Sequence, residues 1–214
     1  MQCGPIRFDL PARSQVESSP FEHRVKPQTT SLRWPHQQSP TIQELYTLLS
    51  TDDERNHQII RDVAHAVLNG RSPLVLSGRT DHVECLHAGI RKRVDRVFVL
   101  KGGMSSKQRS RLFQELAETQ NGPRVIVATG SYIGEGFDDS RLDTLFLAMP
   151  ISWHGTLQQY VGRLHRLHDD KKIVEVYDYV DSSISMLARM FERRLRGYKA
   201  LGYSIQAEQI TTSA

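Results

Sequence analysis

The sequence predicts an α/β fold, a parallel sheet of about five strands with helices on both faces, entered by an extended N-terminal arm. Three observations lead there. Short continuous apolar runs recur between residues 73 and 180, segments with helical spacing lie between them, and Gly-, Ser- and Asp-rich stretches mark the joins. An apolar run without alternation is a strand buried on both faces, and strands that alternate with helices build a parallel sheet.

The elements follow in order. Prolines at 5, 11, 20, 27, 35 and 40 exclude a helix from residues 1–40, so this stretch reads as an extended arm or linker with one or two strands and not as a compact domain. Residues 41–214 form the main domain. Thr41 caps IQELYTLL; Asp52 or Asp53 then caps a longer helix with Ile59, Ile60, Val63, Ala64, Val67 and Leu68 at helical spacing, closed by Asn69 and Gly70. PLVLSG (73–78) is a buried strand, DHVECLHAGIRKR a helix, RVFVLKG (96–102) a strand, and SSKQRSRLFQELAET a helix. RVIVATG (124–130), LDTLFLAM (142–149) and KIVEVYDYV (172–180) complete the strands, with GTLQQYVGRLHRL a helix between the last two. A final amphipathic helix docks through Ile184, Leu187, Ala188, Phe191, Leu195 and Tyr198.

Composition bounds the function. A chain of 214 residues holds one main domain with an ordinary core. No apolar run approaches the roughly 20 residues of a membrane span, and the first residues lack a secretion signal, so a cytoplasmic protein with no membrane partner is expected. Cys3 and Cys85 are too few for a disulfide framework and read as free thiols. The net charge of +4 suits a nucleic-acid binder without requiring one. In the last helix Arg189, Arg193, Arg194, Arg196 and Lys199 face only Glu192, as a solvated face or as a phosphate-contacting patch.

In such sheets ligands sit beyond the carboxyl ends of the strands, where SGRT, KGGMSS and TGSYIGEGFDD fall. LKGGMSS is a Gly-rich strand-to-helix turn, suited to a phosphate but equally to a tight turn. ATGSYIGEGFDD is a long loop, either functional or a surface connection whose acids cap the next turn. In LQQYVGRLHR, Arg163 and Arg166 lie three apart and share a helix face, ready for a phosphate or for Asp169 and Asp170. His154, His165 and His168 lack a matching set of metal ligands.

Taken in order, LVLSGRT, LKGGMSSKQRSRLFQEL, VIVATGSYIGEGFD and QQYVGRLHR resemble motifs IV, IVa, V and VI of superfamily 2 helicases, with the EGFD form closer to the restriction-enzyme and DNA-repair translocase branch. The resemblance covers roughly residues 73–180 as the second, C-terminal RecA-like lobe, and the arm resembles the segment that enters it from a first lobe. It implies that Arg163 and Arg166 reach across an interlobe cleft to ATP, with Arg166 the stronger candidate for the γ-phosphate. Gln159, Gly136 and Asp138 match positions near the nucleotide, and Gly162 the small residue that lets backbones pack closely. Ser77, Arg79, Gly102, Thr129, Gly130 and Ser131 match positions that touch the backbone of a nucleic-acid strand, DNA in that branch. Lys101, Gly130 and Glu135 depart from the common pattern, which has histidine, an acid and, in the DEAD-box branch, arginine.

No G-x-x-x-x-G-K-[ST] loop appears, and DDER at 52–55 has no apolar strand before it. ATP and its magnesium are therefore expected to be held by a first lobe, and this chain alone is expected not to hydrolyse ATP. The rival expectation is a stand-alone, non-catalytic nucleic-acid-binding or partner-docking module of the same fold.

Overall fold

A computed structural model describes residues 20–119, 122–130, 139–151, 158–168 and 171–206, with residues 158, 159 and 163 placed by their backbone alone. Thr41 opens α1 (Ile42–Thr51) with a capping box to Glu44, and Asp52 opens α2 (Asp53–Leu68) by accepting from the Arg55 backbone N–H at 2.8 Å. Gly70, at φ +76°, closes α2 in the left-handed turn that glycine adopts without strain. Then follow β2 (Pro73–Ser77), α3 (Thr80–Ile90), β3 (Val97–Leu100), α4 (Ser106–Glu118), β4 (Val125–Thr129), β5 (Thr144–Leu147), α5 (Gln158–Leu164), β6 (Ile173–Val180) and α6 (Ser185–Ala200).

Among the described residues the sheet is parallel throughout and holds seven strands, not five, in the order β3-β4-β2-β5-β6-β1-β7. The two additions are β1 (Glu22–Thr29), from the proline-rich stretch, and β7 (Ser204–Ile205). Pro27 fits in β1 for a specific reason. Glu22 and Thr30 donate their N–H groups towards β6, while Val25 accepts from Gln206 on the other side. Alternation along the strand therefore turns the nitrogen of Pro27 away from β6, past the reach of β7, and no ladder bond is lost.

Alternate strand residues feed two layers. Leu74, Leu76, Ile126, Ala128, Leu145, Leu147, Val174 and Val176 pack under α4, α5 and α6. Val75, Val125, Val127, Phe146 and Tyr179 pack under α2 and α3. Those two helices cross closely at Gly89, where a Cβ would fall 2.3 Å from Ile60 Cδ1. A smaller cluster joins Leu32, α1 and the start of α6.

α6 docks as its apolar spacing requires, with one correction. Arg194 does not belong to the exposed basic run: it is 1% exposed, donates from Nε and Nη2 to the two carboxylate oxygens of Asp178 at 2.8 Å each, and shares that acid with the Tyr198 hydroxyl at 3.0 Å. Its spacing puts it on the buried face, whereas Arg189, Arg193, Arg196 and Lys199 remain exposed. Among the described residues no helix is long and apolar enough to cross a membrane.

Candidate functional site

The residues singled out in the sequence fall at opposite ends of the sheet. At the carboxyl ends of β2 and β4, Ser77 and Thr129 are register partners on neighbouring strands, with Arg79 and Gly130 just after them and Gly102 in the turn that follows β3. A neutral chain of hydrogen bonds fixes the Ser77 loop. His82 Nε2 lies 2.8 Å from Asn56 Oδ1, an acceptor, so Nε2 carries the proton and Nδ1 accepts from the Ser77 hydroxyl at 3.0 Å. Asn56 donates on to the Ser50 carbonyl at 3.0 Å, and burial pushes His82 down to about 3.

The Ser77 hydroxyl thus spends its proton on His82 and accepts from the Arg79 N–H at 3.2 Å. Its part is to hold the loop from which Arg79 projects. Arg79 forms a two-pronged pair with Asp81, Nε to Oδ1 at 3.0 Å and Nη2 to Oδ2 at 2.7 Å, with its side chain 36% exposed. The Thr129 hydroxyl is buried and has no hydrogen-bond partner among the described residues. A Cβ on Gly130 would sit 2.2 Å from the Tyr160 hydroxyl, so only glycine lets α5 approach the end of β4 this closely. At Gly162 a Cβ would meet nothing within 4 Å among the described residues, whereas Gly130 is closely packed.

α5 starts near this end and runs back across the sheet. Tyr160, Val161 and Leu164 are buried, Arg166 is exposed, and Leu167 is 70% exposed. Arg166 consequently lies at the opposite end, where β6 begins. The Lys171 ammonium donates to the carbonyls of Leu164 at 2.9 Å and Arg166 at 2.8 Å. His165, between the two motif arginines, turns inward, its Nε2 2.8 Å from the Tyr203 hydroxyl and its ring 4.8 Å from that of His23. Burial lowers His165 to about 3 and His23 to about 4.

Buried charge crowds this second end. Asp139 pairs with Arg124 and with Arg141, the latter at 3.2 Å. Arg71 donates to the Thr144 hydroxyl at 2.9 Å and to the carbonyls of Asp143 and Ile173 at 3.1 Å each. Asp139 is thereby a structural anion. Ser131, Gly136 and Asp138 lie outside the described residues, and Gln159 and Arg163 are placed only as backbone positions of α5. Tyr160, His82 and Lys171 went unnoticed in the sequence; only Gly130, where an acid is common in the resembled motif, hinted at a neighbour needing room.

Comparisons with known proteins agree with this architecture. No family model matches the sequence. The chain is 24% identical over 143 residues to the ATP-dependent DNA helicase uvsW of Enterobacteria phage T4, covering 67% of this chain and 28% of that protein. It is 35% identical over 79 residues to the putative helicase 161L of Invertebrate iridescent virus 6, covering 37% and 17%. It therefore spans less than a third of either relative. In structure it is similar to T4 UvsW, with a TM-score of 0.70 at 20% identity over 86% of this chain and 41% of that one. It is similar also to S. cerevisiae Dbp5 bound to RNA and ADP BeF3, with a TM-score of 0.59 at 12% identity over 90% and 43%.

Proposed function

From a chain whose fold is that of the C-terminal RecA-like lobe of superfamily 2 helicases, we propose the second lobe of an ATP-driven DNA helicase or translocase. One end of the sheet meets ATP and the other grips a strand. Arg163 and Arg166 provide guanidinium groups for the phosphates of ATP bound against a first lobe, with Gln159, Gly136 and Asp138 beside the nucleotide. A guanidinium keeps its charge and offers a planar fork, which suits it to the charge that develops on a transferring phosphoryl group. Magnesium would be held by the first lobe and would supply neutralisation of the phosphate charge. At the far end Arg79 and Gly102, the Thr129 to Ser131 segment and the Ser77 loop take the strand by its backbone, so binding weakens with salt and reads little sequence.

One observation carries the reading. α5 links the two ends, touching Gly130 through Tyr160 at the strand end and presenting Arg166 at the other, beside an exposed Leu167 that a closing first lobe would cover. A step at the phosphates is thus mechanically connected to the grip.

The test is ATP hydrolysis with single-stranded DNA, by this chain alone and then mixed with a separately expressed first lobe that carries a phosphate loop and an acidic box. The expected result is hydrolysis in the mixture well above that of the first lobe by itself, and none by this chain alone. No gain in the mixture, with salt-sensitive DNA binding by this chain alone, would favour a non-catalytic binding module.

A further inference from the structure

We infer that Lys171 is a positioning residue for the arginine-bearing end of α5, its ammonium clamping the last turn and the Arg166 carbonyl so that the Arg166 guanidinium is held in one place. This rests on reading Arg166 as a phosphate contact. The last turn of a helix leaves carbonyls without partners and gathers negative partial charge, so a cation there both satisfies and stabilises it. Lys171 does this from outside the helix. It is 8% exposed, its two hydrogen bonds go to the carbonyls of Leu164 and Arg166, and it stands 5.5 Å from the centroid of the Phe21 ring.

A residue needed only to fill this space would be apolar, because burying an ammonium costs free energy that an aliphatic chain does not. The ammonium sits at the one point where the chain leaves α5 and carries Arg166 into solvent. Without it, the carbonyls of Leu164 and Arg166 lose their donor, the last turn frays, and Arg166 samples several orientations.

The surroundings make the clamp sensitive to pH. Asp143 and Asp139, ahead of β5, favour the charged amine; Arg71, ahead of β2, opposes it; Phe21 precedes β1; and His165, just after α5, is kept neutral by burial. Burial outweighs the acids and lowers Lys171 to about 8. Above that pH the amine keeps its N–H groups but loses the charge that strengthens both hydrogen bonds.

The experiment uses the two-lobe ATPase mixture and this chain carrying Lys171→Met, Lys171→Arg or Arg166→Ala. Lys171→Met should lower kcat about tenfold to a hundredfold, the scale of a lost charge-assisted hydrogen bond. KM for ATP, single-stranded DNA affinity and the thermal midpoint should change little. Lys171→Arg keeps a permanent charge and a fork for two carbonyls. It should restore kcat and remove the fall in rate expected of the unmodified chain above about pH 8. Full kcat in Lys171→Met, or equal losses of kcat, DNA affinity and thermal midpoint, would overturn the inference. Where Lys171→Met fails to fold, the Lys171→Arg profile decides: an alkaline fall still at the original pH overturns it. If Arg166→Ala is itself silent, the phosphate reading fails and takes the inference with it. If Arg166→Ala abolishes hydrolysis and Lys171→Met does not, only the inference fails.

Discussion

The two ends of the sheet are built from different materials. Where the strands begin, charge is buried or half-buried and paired: Arg124 and Arg141 with Asp139, Arg71 beside Asp143, and Lys171 on the carbonyls of Leu164 and Arg166. Where β2, β3 and β4 end, the loops are small and glycine-rich, at Gly78, Gly102, Gly103 and Gly130, with the half-exposed pairs Arg79–Asp81 and Lys101–Glu84; below them lie the uncharged Ser77, His82 and Asn56 chain and, where β6 ends, the buried Arg55–Asp181 pair. The contrast matches the proposed division of labour. A guanidinium that must meet a developing charge benefits from fixed surroundings, because preorganisation is what makes electrostatic stabilisation effective. A grip that closes on any strand and releases it at each step needs open backbone and little side-chain bulk.

The contrast is broken most severely by Asp139→Ala, which leaves Arg124, 1% exposed, without its counter-charge. About 3–5 kcal/mol of unfolding free energy should be lost, read from urea denaturation, whereas Arg79→Ala at the other end should cost less than about 1 kcal/mol. Comparable losses at both ends would erase the distinction.

Acid provides an intermediate test. Burial depresses His82, His23 and His165 in the folded chain, to about 3, 4 and 3. The unfolded chain therefore binds more protons than the folded one from each of these values up to the ordinary 6.5. The stability they permit is complete above pH 6.5 and falls as the pH drops towards 4, by about 1.4 kcal/mol per pH unit for each histidine. Denaturation at pH 7, 6 and 5 measures that slope. His82→Gln should remove one histidine's share, from the strand end, and the pair His23→Gln with His165→Gln two shares, from the other. An unchanged slope in His82→Gln would mean that the Ser77 chain is not neutral.

The smallest effect sharpens the link between the ends. Gly130→Ala should cost about 1–2 kcal/mol by overpacking against the Tyr160 hydroxyl, and Tyr160→Phe should recover most of it in the double variant. Additive losses would show that the two residues do not meet.

Much of this fold is legible in the sequence because burial writes itself into composition. The continuous runs at β2, β4 and β5 are apolar because both faces are covered, and Thr41, Asp52 and Gly70 mark helix ends by chemistry that acts within a few residues. β1 is harder to read, since EHRVKPQT is polar and contains proline; it pairs along its whole length with β6 alone, β7 reaching only Arg24 and Val25, and the β6 side never asks Pro27 for an N–H. β7, two residues long, carries almost no pattern. In α6 the helical period was visible, but the burial of Arg194 depends on Asp178, sixteen residues earlier and on a different element. The same holds for the candidate site. The motif order located its residues along the chain. That Arg166 lies at the opposite end of the sheet from Thr129, contrary to the expectation that ligands gather beyond the carboxyl ends, follows from the run of α5 back across the sheet. Lys171 is seven residues from Leu164 and gives no local signal of the carbonyls it holds.

The central claim is that phosphate chemistry and strand binding occupy separate ends joined by α5, and one crossed measurement tests it most directly. In the two-lobe mixture, ATP hydrolysis and single-stranded DNA affinity are measured for Arg166→Ala and for Arg79→Ala. Arg166→Ala should lower hydrolysis by about a thousandfold, the scale of a lost arginine finger, and leave affinity essentially unchanged. Arg79→Ala should weaken the affinity and flatten its salt dependence by about one phosphate contact, with hydrolysis at saturating DNA retained. Loss of both properties in Arg166→Ala would contradict the account and make Arg166 a structural arginine.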